Sequence, residues 1–250
     1  MAEDLVADFD PVSLKELDER AALLRRVDNK YAVERERFEE LLERLRENHQ
    51  VLEIEGKRMF GYRSTYFDTP ELRCFTDHLE DRHPRYKART RCYVDAGTCV
   101  FEVKLKPRDG ETDKRQVDHP VKRADQLTEA SRECLAQALS DVGLEAPGDL
   151  APTLVTIFDR ITLAAREGSE RLTCDVGVRL SNPDGETAGL RDGVVLVETK
   201  SESGESPADR ALGELGLEAI SLSKYRVGMS LVGGAEAGPQ PGSELFDRRG

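Results

Sequence analysis

Residues 86–93 read YKARTRCY and carry cations at alternate positions, Lys87, Arg89 and Arg91. In a β-strand, side chains two apart point to the same face. The three cations therefore share one face, and Ala88, Thr90 and Cys92 share the other. Residues 99–107, CVFEVKLKP, repeat the pattern, with Glu102, Lys104 and Lys106 against Phe101, Val103 and Leu105. Further along, Arg171, Thr173 and Asp175 alternate with Leu172, Cys174 and Val176, and Glu198 and Lys200 with Val197 and Thr199.

The chain as a whole is acidic: 37 Lys and Arg against 49 Asp and Glu in 250 residues, a formal net charge of −12. Such a field repels phosphates at long range, which argues against a nucleic-acid coat. An anion site must be local. For one strand, the ordinary reading is a half-exposed sheet with its charged side in water. Three features weigh against that for the set. The charges are mainly cations on an acidic chain. Paired strands would stack them side by side, which is unfavourable without an anion. Arg outnumbers Lys on the first strand, and its guanidinium suits bidentate phosphate recognition. A sheet charged on one face and apolar on the other can also close into a barrel, with helices outside and charge lining a tunnel. The ligand of such a tunnel is an oxygen-rich polyanion. Glu102, Asp175 and Glu198 would then offer hard oxygen ligands to Mg²⁺ or Mn²⁺.

Apolar residues make up 38% of the chain and charged residues 34%, a soluble, polar globular composition. The N-terminus, MAEDLVADFD, lacks a basic, apolar signal pattern, and no apolar run approaches the roughly 20 residues of a membrane span. A cytoplasmic location is expected. The five cysteines, Cys74, Cys92, Cys99, Cys134 and Cys174, are scattered without a CxxC pair, so free thiols are expected, with Cys92, Cys99 and Cys174 as small core residues. The four histidines, His49, His78, His83 and His119, are expected at the surface or in turns.

Helical spacing predicts helices over 14–26, 34–49 (with Phe38, Leu41, Leu42 and Leu45 on one face), 125–142 and 208–217, and a short, largely solvated one over 71–81. Strands are predicted over 27–33, 62–69, 85–94, 99–107, 113–121, 153–165, 170–182 and 194–201, with turns at Asp95-Ala96-Gly97 and Asp109-Gly110. Runs of strands between a few helices point to an antiparallel α+β fold. One domain is expected over 1–232, followed by a Gly- and Pro-rich tail over 233–250 expected to be disordered.

The succession DNKYAV (28–33), YRSTYFDT (62–69), YKARTRCY (86–93), FEVKLK (101–106), FDRITL (158–163), RLTCDVGV (171–178), LVETK (196–200) and SLSKYRVG (221–228) resembles the vacuolar transporter chaperone (VTC) domain family. These are polyphosphate polymerases of the triphosphate tunnel metalloenzyme superfamily. The resemblance implies an antiparallel β-barrel tunnel with helices packed outside. It implies phosphate binding by Lys30, Arg89, Arg91, Lys104, Arg160 and Arg171, with Lys114 and Lys200 as further tunnel residues. Lys87, Arg63 and Tyr66 are neighbours of these, Lys224 contacts phosphate near the reacting end, and Glu198 is the metal ligand for Mn²⁺ or Mg²⁺. Tyr31 and Tyr225 are read as packing or binding residues.

The implied reaction moves the γ-phosphoryl of a nucleoside triphosphate, ATP by expectation, onto a growing inorganic polyphosphate chain. Lys224, Arg89, Arg91 and Glu198 would carry it. The acceptor is already an anionic oxygen, so no strong base is required. The ExExK signature of adenylate-cyclase and thiamine-triphosphatase relatives is absent, with DNKYAV in its place. No phosphate-sensing domain or membrane segment is expected in the chain, so coupling to a membrane would need a separate partner. Two alternatives remain at this point: a tunnel triphosphatase or polyphosphatase, and a polyphosphate-binding module without turnover.

Overall fold

The computed structural model describes residues 4–20, 27–108, 112–235 and 237–249. Among these described residues are twelve strands: β1 (Pro11–Val12), β2 (Val27–Glu34), β3 (His49–Leu52), β4 (Met59–Asp68), β5 (Arg85–Tyr93), β6 (Thr98–Lys106), β7 (Asp113–Asp118), β8 (Ala151–Ala165), β9 (Arg171–Ser181), β10 (Thr187–Leu190), β11 (Val194–Ser201) and β12 (Phe246–Arg249). Six helices accompany them: α1 (Leu14–Arg20), α2 (Arg35–Leu45), α3 (Arg73–Leu79), α4 (Glu129–Ser140), α5 (Pro207–Glu214) and α6 (Lys224–Leu231). The class is α+β and the sheet is mostly antiparallel, with β1 and β3 paired in parallel. The ladder path runs β12-β10-β9-β8-β4-β5-β6-β7 and is open between its ends, so a barrel describes it only approximately.

Two compact units are distinguished within the chain. Unit 1 holds 1–60, 158–178 and 190–222; unit 2 holds 61–157, 179–189 and 223–250. In unit 1, β11 pairs with both β2 and β9. Its apolar face, Tyr31, Val33, Leu172, Cys174, Val195 and Val197, packs against the predicted stripe of α2, Phe38, Leu41, Leu42 and Leu45, and against Ala208, Ala211 and Leu212 of α5. This arrangement follows from period 2 in the strands meeting period 3.6 in the helices.

In unit 2, β4, β5, β6 and β7 pair in sequence order. Tyr86, Ala88, Phe101, Val103 and Leu105 form the apolar face, covered by Leu135, Ala138 and Leu139 of α4. Gly97 takes φ +62° at the β5–β6 hairpin, a conformation that suits glycine. The turn expected at Asp109-Gly110, and Ala21 and Leu24 of the helix expected over 14–26, lie outside the described residues.

Several expectations are corrected. The described part of the tail is structured: Leu245 and Phe246 are buried, and Thr187 donates to the Arg249 carbonyl at 2.6 Å. Burial of two large apolar side chains explains why its Gly and Pro content does not leave it loose. Cys92 and Cys99 are direct cross-strand partners, with Cα atoms 4.0 Å apart, and form a disulfide, whereas Cys74, Cys134 and Cys174 are free thiols. His49 and His119 are buried rather than at the surface, because each has a polar partner. His49 Nε2 lies 3.3 Å from Glu170, and His119 Nδ1 lies 3.0 Å from the Ser131 hydroxyl. Helix α3 is less solvated than its charge suggested, since Cys74, Phe75 and Asp77 are buried. Among the described residues, no helix is long and apolar enough to cross a membrane.

Candidate functional site

Each unit has a charged strand face that carries many of the residues singled out from the sequence. In unit 2, the register places Lys87 opposite Lys104 and Lys104 opposite Lys114, a row of three ammonium-bearing side chains across β5, β6 and β7. One position along, Arg89 stands opposite Glu102. Arg89 donates to the Glu102 carboxylate through Nε at 2.7 Å and lies 2.6 Å from it through Nη2. Arg91 approaches the same carboxylate at 3.8 Å, and Lys114 at 2.9 Å. Burial alone would favour neutral Glu102, but Arg89, Arg91 and Lys114 hold its carboxyl down to about 2. Glu102 is thus the counter-charge of a cation cluster.

Burial, then Lys104 and Arg89, push the Lys87 ammonium down to about 7. Its Nζ sits 5.1 Å from the ring centroid of Tyr225. Tyr225 is fully buried and donates its hydroxyl to Asp68 at 2.9 Å. The Tyr225 ring lies 4.9 Å from that of Tyr66, whose hydroxyl oxygen accepts from Arg89 Nη1 at 2.9 Å. Burial opposes ionisation of Tyr66, yet Arg89 and Arg91 hold its phenol below the ordinary value. Lys224 opens α6 directly before Tyr225, behind the cap of Ser223, whose hydroxyl accepts from the Arg226 amide at 3.4 Å.

In unit 1 the charges alternate in sign. Lys30 faces Glu198 across β2 and β11, and Lys200 stands between Asp28 on one side and Arg171 on the other. Lys200 Nζ lies 3.1 Å from Glu198 and donates to the Thr173 hydroxyl at 3.2 Å. Burial pushes Lys200 down to about 8, against the pull of Glu198. Arg160 makes a two-pronged pair with buried Asp175, Nε at 2.6 Å and Nη2 at 2.9 Å. On the apolar side, Asp209 accepts from Asn29, Tyr31 and Thr199 at 3.1, 2.9 and 2.6 Å, and closes a capping box with Ser206. Tyr31 therefore packs and anchors α5; it does not belong to the charged face.

The structure thus brings Lys87, Arg89, Arg91, Lys104 and Lys114 onto one face of unit 2. It brings Lys30, Arg160, Arg171, Glu198 and Lys200 onto one face of unit 1. Arg63 is a correction: its cross-strand partner is Cys92, on the apolar side, and its guanidinium grips Asp125 at 2.7 and 2.9 Å. Asp68 was not found from the sequence. It ends β4 as an acid before a proline turn, which reads as turn chemistry, and its burial emerges only through α3 and α6.

Among the described residues there is no group of three or more His, Cys, Asp or Glu able to hold a metal. Glu102 and Asp175 are engaged by guanidinium groups, and Glu198 by Lys200. The protein's donors alone do not fit a dedicated metal cage. They fit a cation sharing one carboxylate with ligand oxygens, the usual habit of Mg²⁺.

The VTC domain family model matches residues 25–232, most of the chain. The chain belongs to the VTC domain family. Its solved-structure likenesses are distant. HpAC1 from Hippeastrum, described as having a dominant triphosphatase activity, is 15% identical with a TM-score of 0.49, over 82% of this chain and 95% of that one. The PH1819 protein of Pyrococcus horikoshii OT3 is 16% identical with a TM-score of 0.43, over 80% of this chain and 95% of that one. A conserved hypothetical protein from Pyrococcus furiosus is 14% identical with a TM-score of 0.38, over 76% and 88%. No curated protein matches the VTC-family chain.

Proposed function

We propose that this VTC-family protein is a polyphosphate polymerase that transfers the γ-phosphoryl of a nucleoside triphosphate, ATP by preference, to a growing polyphosphate chain. The observation that carries the reading is the row Lys87, Lys104 and Lys114. Like charges directly opposite on paired strands repel. An acidic protein gains by such a row when an anion rich in oxygens occupies it, and family membership supports triphosphate or polyphosphate as that anion.

Phosphoryl transfer needs positioning and charge neutralisation more than covalent help. Lys87, Lys104 and Lys114 bind phosphate oxygens as point charges, while Arg91 and Arg89 offer planar forks. Lys224, at the opening of α6, neutralises charge at the transferred group. On the unit 1 face, Lys30, Arg160, Arg171 and Lys200 are the phosphate-binding cations. Glu198 would hold Mn²⁺ or Mg²⁺, and the bound ion would supply charge neutralisation at the phosphates. The partners are thus a nucleoside triphosphate and inorganic polyphosphate, in the cytoplasm.

The test is incubation of the protein with ATP and Mn²⁺, with products resolved by length on a gel and by ³¹P NMR. A ladder with internal phosphate signals, lost in Glu198→Ala, supports the polymerase. Orthophosphate alone makes the protein a hydrolase. No turnover, with a thermal shift on tripolyphosphate, makes it a binding module.

A further inference from the structure

Asp68 is fully buried and ends β4. Four neutral donors converge on its carboxylate: the amides of Thr69 and Cys74 at 2.8 Å each, the amide of Phe75 at 2.9 Å, and the Tyr225 hydroxyl at 2.9 Å. The amides of Cys74 and Phe75 tie it to the start of α3. The fourth bond passes its charge to a phenol. A phenol that donates to a carboxylate is electron-rich, and its ring face attracts a cation more strongly. That face carries the Lys87 ammonium at 5.1 Å. The same ring lies 4.9 Å from Tyr66, the acceptor that holds Arg89.

We propose that Asp68 and Tyr225 are a positioning pair for phosphate binding: the buried carboxylate fixes the Tyr225 ring beneath Lys87, holding that ammonium in place and favouring its charged form in a crowd of like charges. The pair touches no substrate. The proposal rests on the reading of the Lys87–Lys104–Lys114 row as an anion site. It explains how Lys87 is stabilised from below by a ring, which leaves its other side for phosphate oxygens. A carboxylate in direct contact would compete with the phosphate for the same donors.

The groups facing Lys87 are Arg85 and Arg89 on its own strand, Lys104 on β6, Arg226 on α6 and His78 on α3. Burial favours a neutral Lys87, and the cations among them add to this, so its charge is largely lost above about 7. Below that value Lys87 is charged whatever lies under it. The Tyr225 ring therefore matters most on the alkaline side, and this separates positioning from simple support of the fold, which would weaken binding alike at every pH.

The experiment is calorimetric titration of inorganic tripolyphosphate into the whole chain at about pH 6 and about pH 8.5, for wild type, Tyr225→Phe, Tyr225→Leu and Lys104→Ala. Comparison with wild type at each pH cancels the titration of tripolyphosphate itself. In Tyr225→Leu, Kd should rise about tenfold at the higher pH and much less at the lower. Tyr225→Phe, which keeps the ring but drops the bond to Asp68, should fall between Leu and wild type. Folded variants whose Kd ratio to wild type is the same at both pH values overturn the proposal. Loss of binding in Lys104→Ala beside a pH-flat ratio at Tyr225 sinks this proposal alone. No binding by wild type sinks the anion site and the positioning pair together. Should both Tyr225 variants unfold, ¹³C-tyrosine wild type carries the test. The Tyr225 ring signal should then move with the titration of Lys87 and again on tripolyphosphate addition, and a ring signal indifferent to both overturns the pair.

Discussion

The charged face of unit 1 is built in pairs, and that of unit 2 is built as a crowd. In unit 1, Arg160 has Asp175, Lys200 has Glu198, and Lys30 faces Glu198 across the ladder. In unit 2, Arg89, Arg91 and Lys114 converge on Glu102, and Lys87 stands opposite Lys104. The first arrangement is close to neutral by itself. The second holds an excess of positive charge that a polyanion would relieve. Similar residue types in similar strands thus carry a different balance of charge, and the sign of the cross-strand neighbour decides it.

Glu102→Ala tests the crowd most severely. It leaves three cations around an empty position and should cost about 3–5 kcal/mol, a melting-temperature fall of about 10 °C. Tripolyphosphate should restore much of that fall in a thermal scan; no restoration would break the contrast between the units. Lys224→Ala should leave the melting temperature nearly unchanged and lower turnover at least about a hundredfold, read by ³¹P NMR. Full activity would remove Lys224 from its role. In unit 1, Asp175→Asn should cost about 1–3 kcal/mol in urea unfolding, because it turns a two-pronged ion pair into a neutral contact. A neutral effect would mean that the pairing there carries no stability.

These sites differ in how far the sequence revealed them. The α2 stripe, the β5–β6 alternation and the cation row all follow from period counting, which is local. What period counting cannot see is what meets a face from far along the chain. Asp68 becomes a buried acceptor only when Tyr225 arrives from α6. His49 is buried because Glu170 lies beside it, and the tail orders because Thr187 of β10 gives Arg249 a partner. Arg63 has the right charge at the wrong parity, and only the register with Cys92 shows it.

Protonation sharpens the comparison further. Lys87 titrates at about 7 and Lys200 at about 8, each below its ordinary 10.5. Above those values each is largely neutral, and a bound anion favours the charged form and raises both. Tripolyphosphate binding at about pH 8.5 should therefore take up about one to two protons, measured as a dependence of the binding heat on buffer ionisation enthalpy. No uptake would mean that neither ammonium meets the anion. Glu102 works the other way. Its folded value of about 2 lies below its ordinary 4.5, so its stabilisation is present above 4.5 and lost as pH falls through 2. The smallest effect is expected for Lys104→Ala in the empty protein. Removing one like charge from the row should change stability by less than about 1 kcal/mol, toward greater stability, while binding weakens. A clear loss of stability in urea would show that Lys104 supports the fold.

The order in which the chain leaves the ribosome adds a consequence of the β2–β11 ladder. Val27–Glu34 is synthesised about 160 residues ahead of its partner Val194–Ser201. At roughly 5–20 residues per second, β2 waits about ten seconds or longer with Tyr31 and Val33 uncovered. Unit 1 is thus a late-folding body with an early-made edge, whereas β4 to β7 of unit 2 can zip up as neighbours while synthesis continues. A nascent chain stalled before residue 194 should accordingly protect the β5–β6 hairpin from proteolysis and leave β2 open to it.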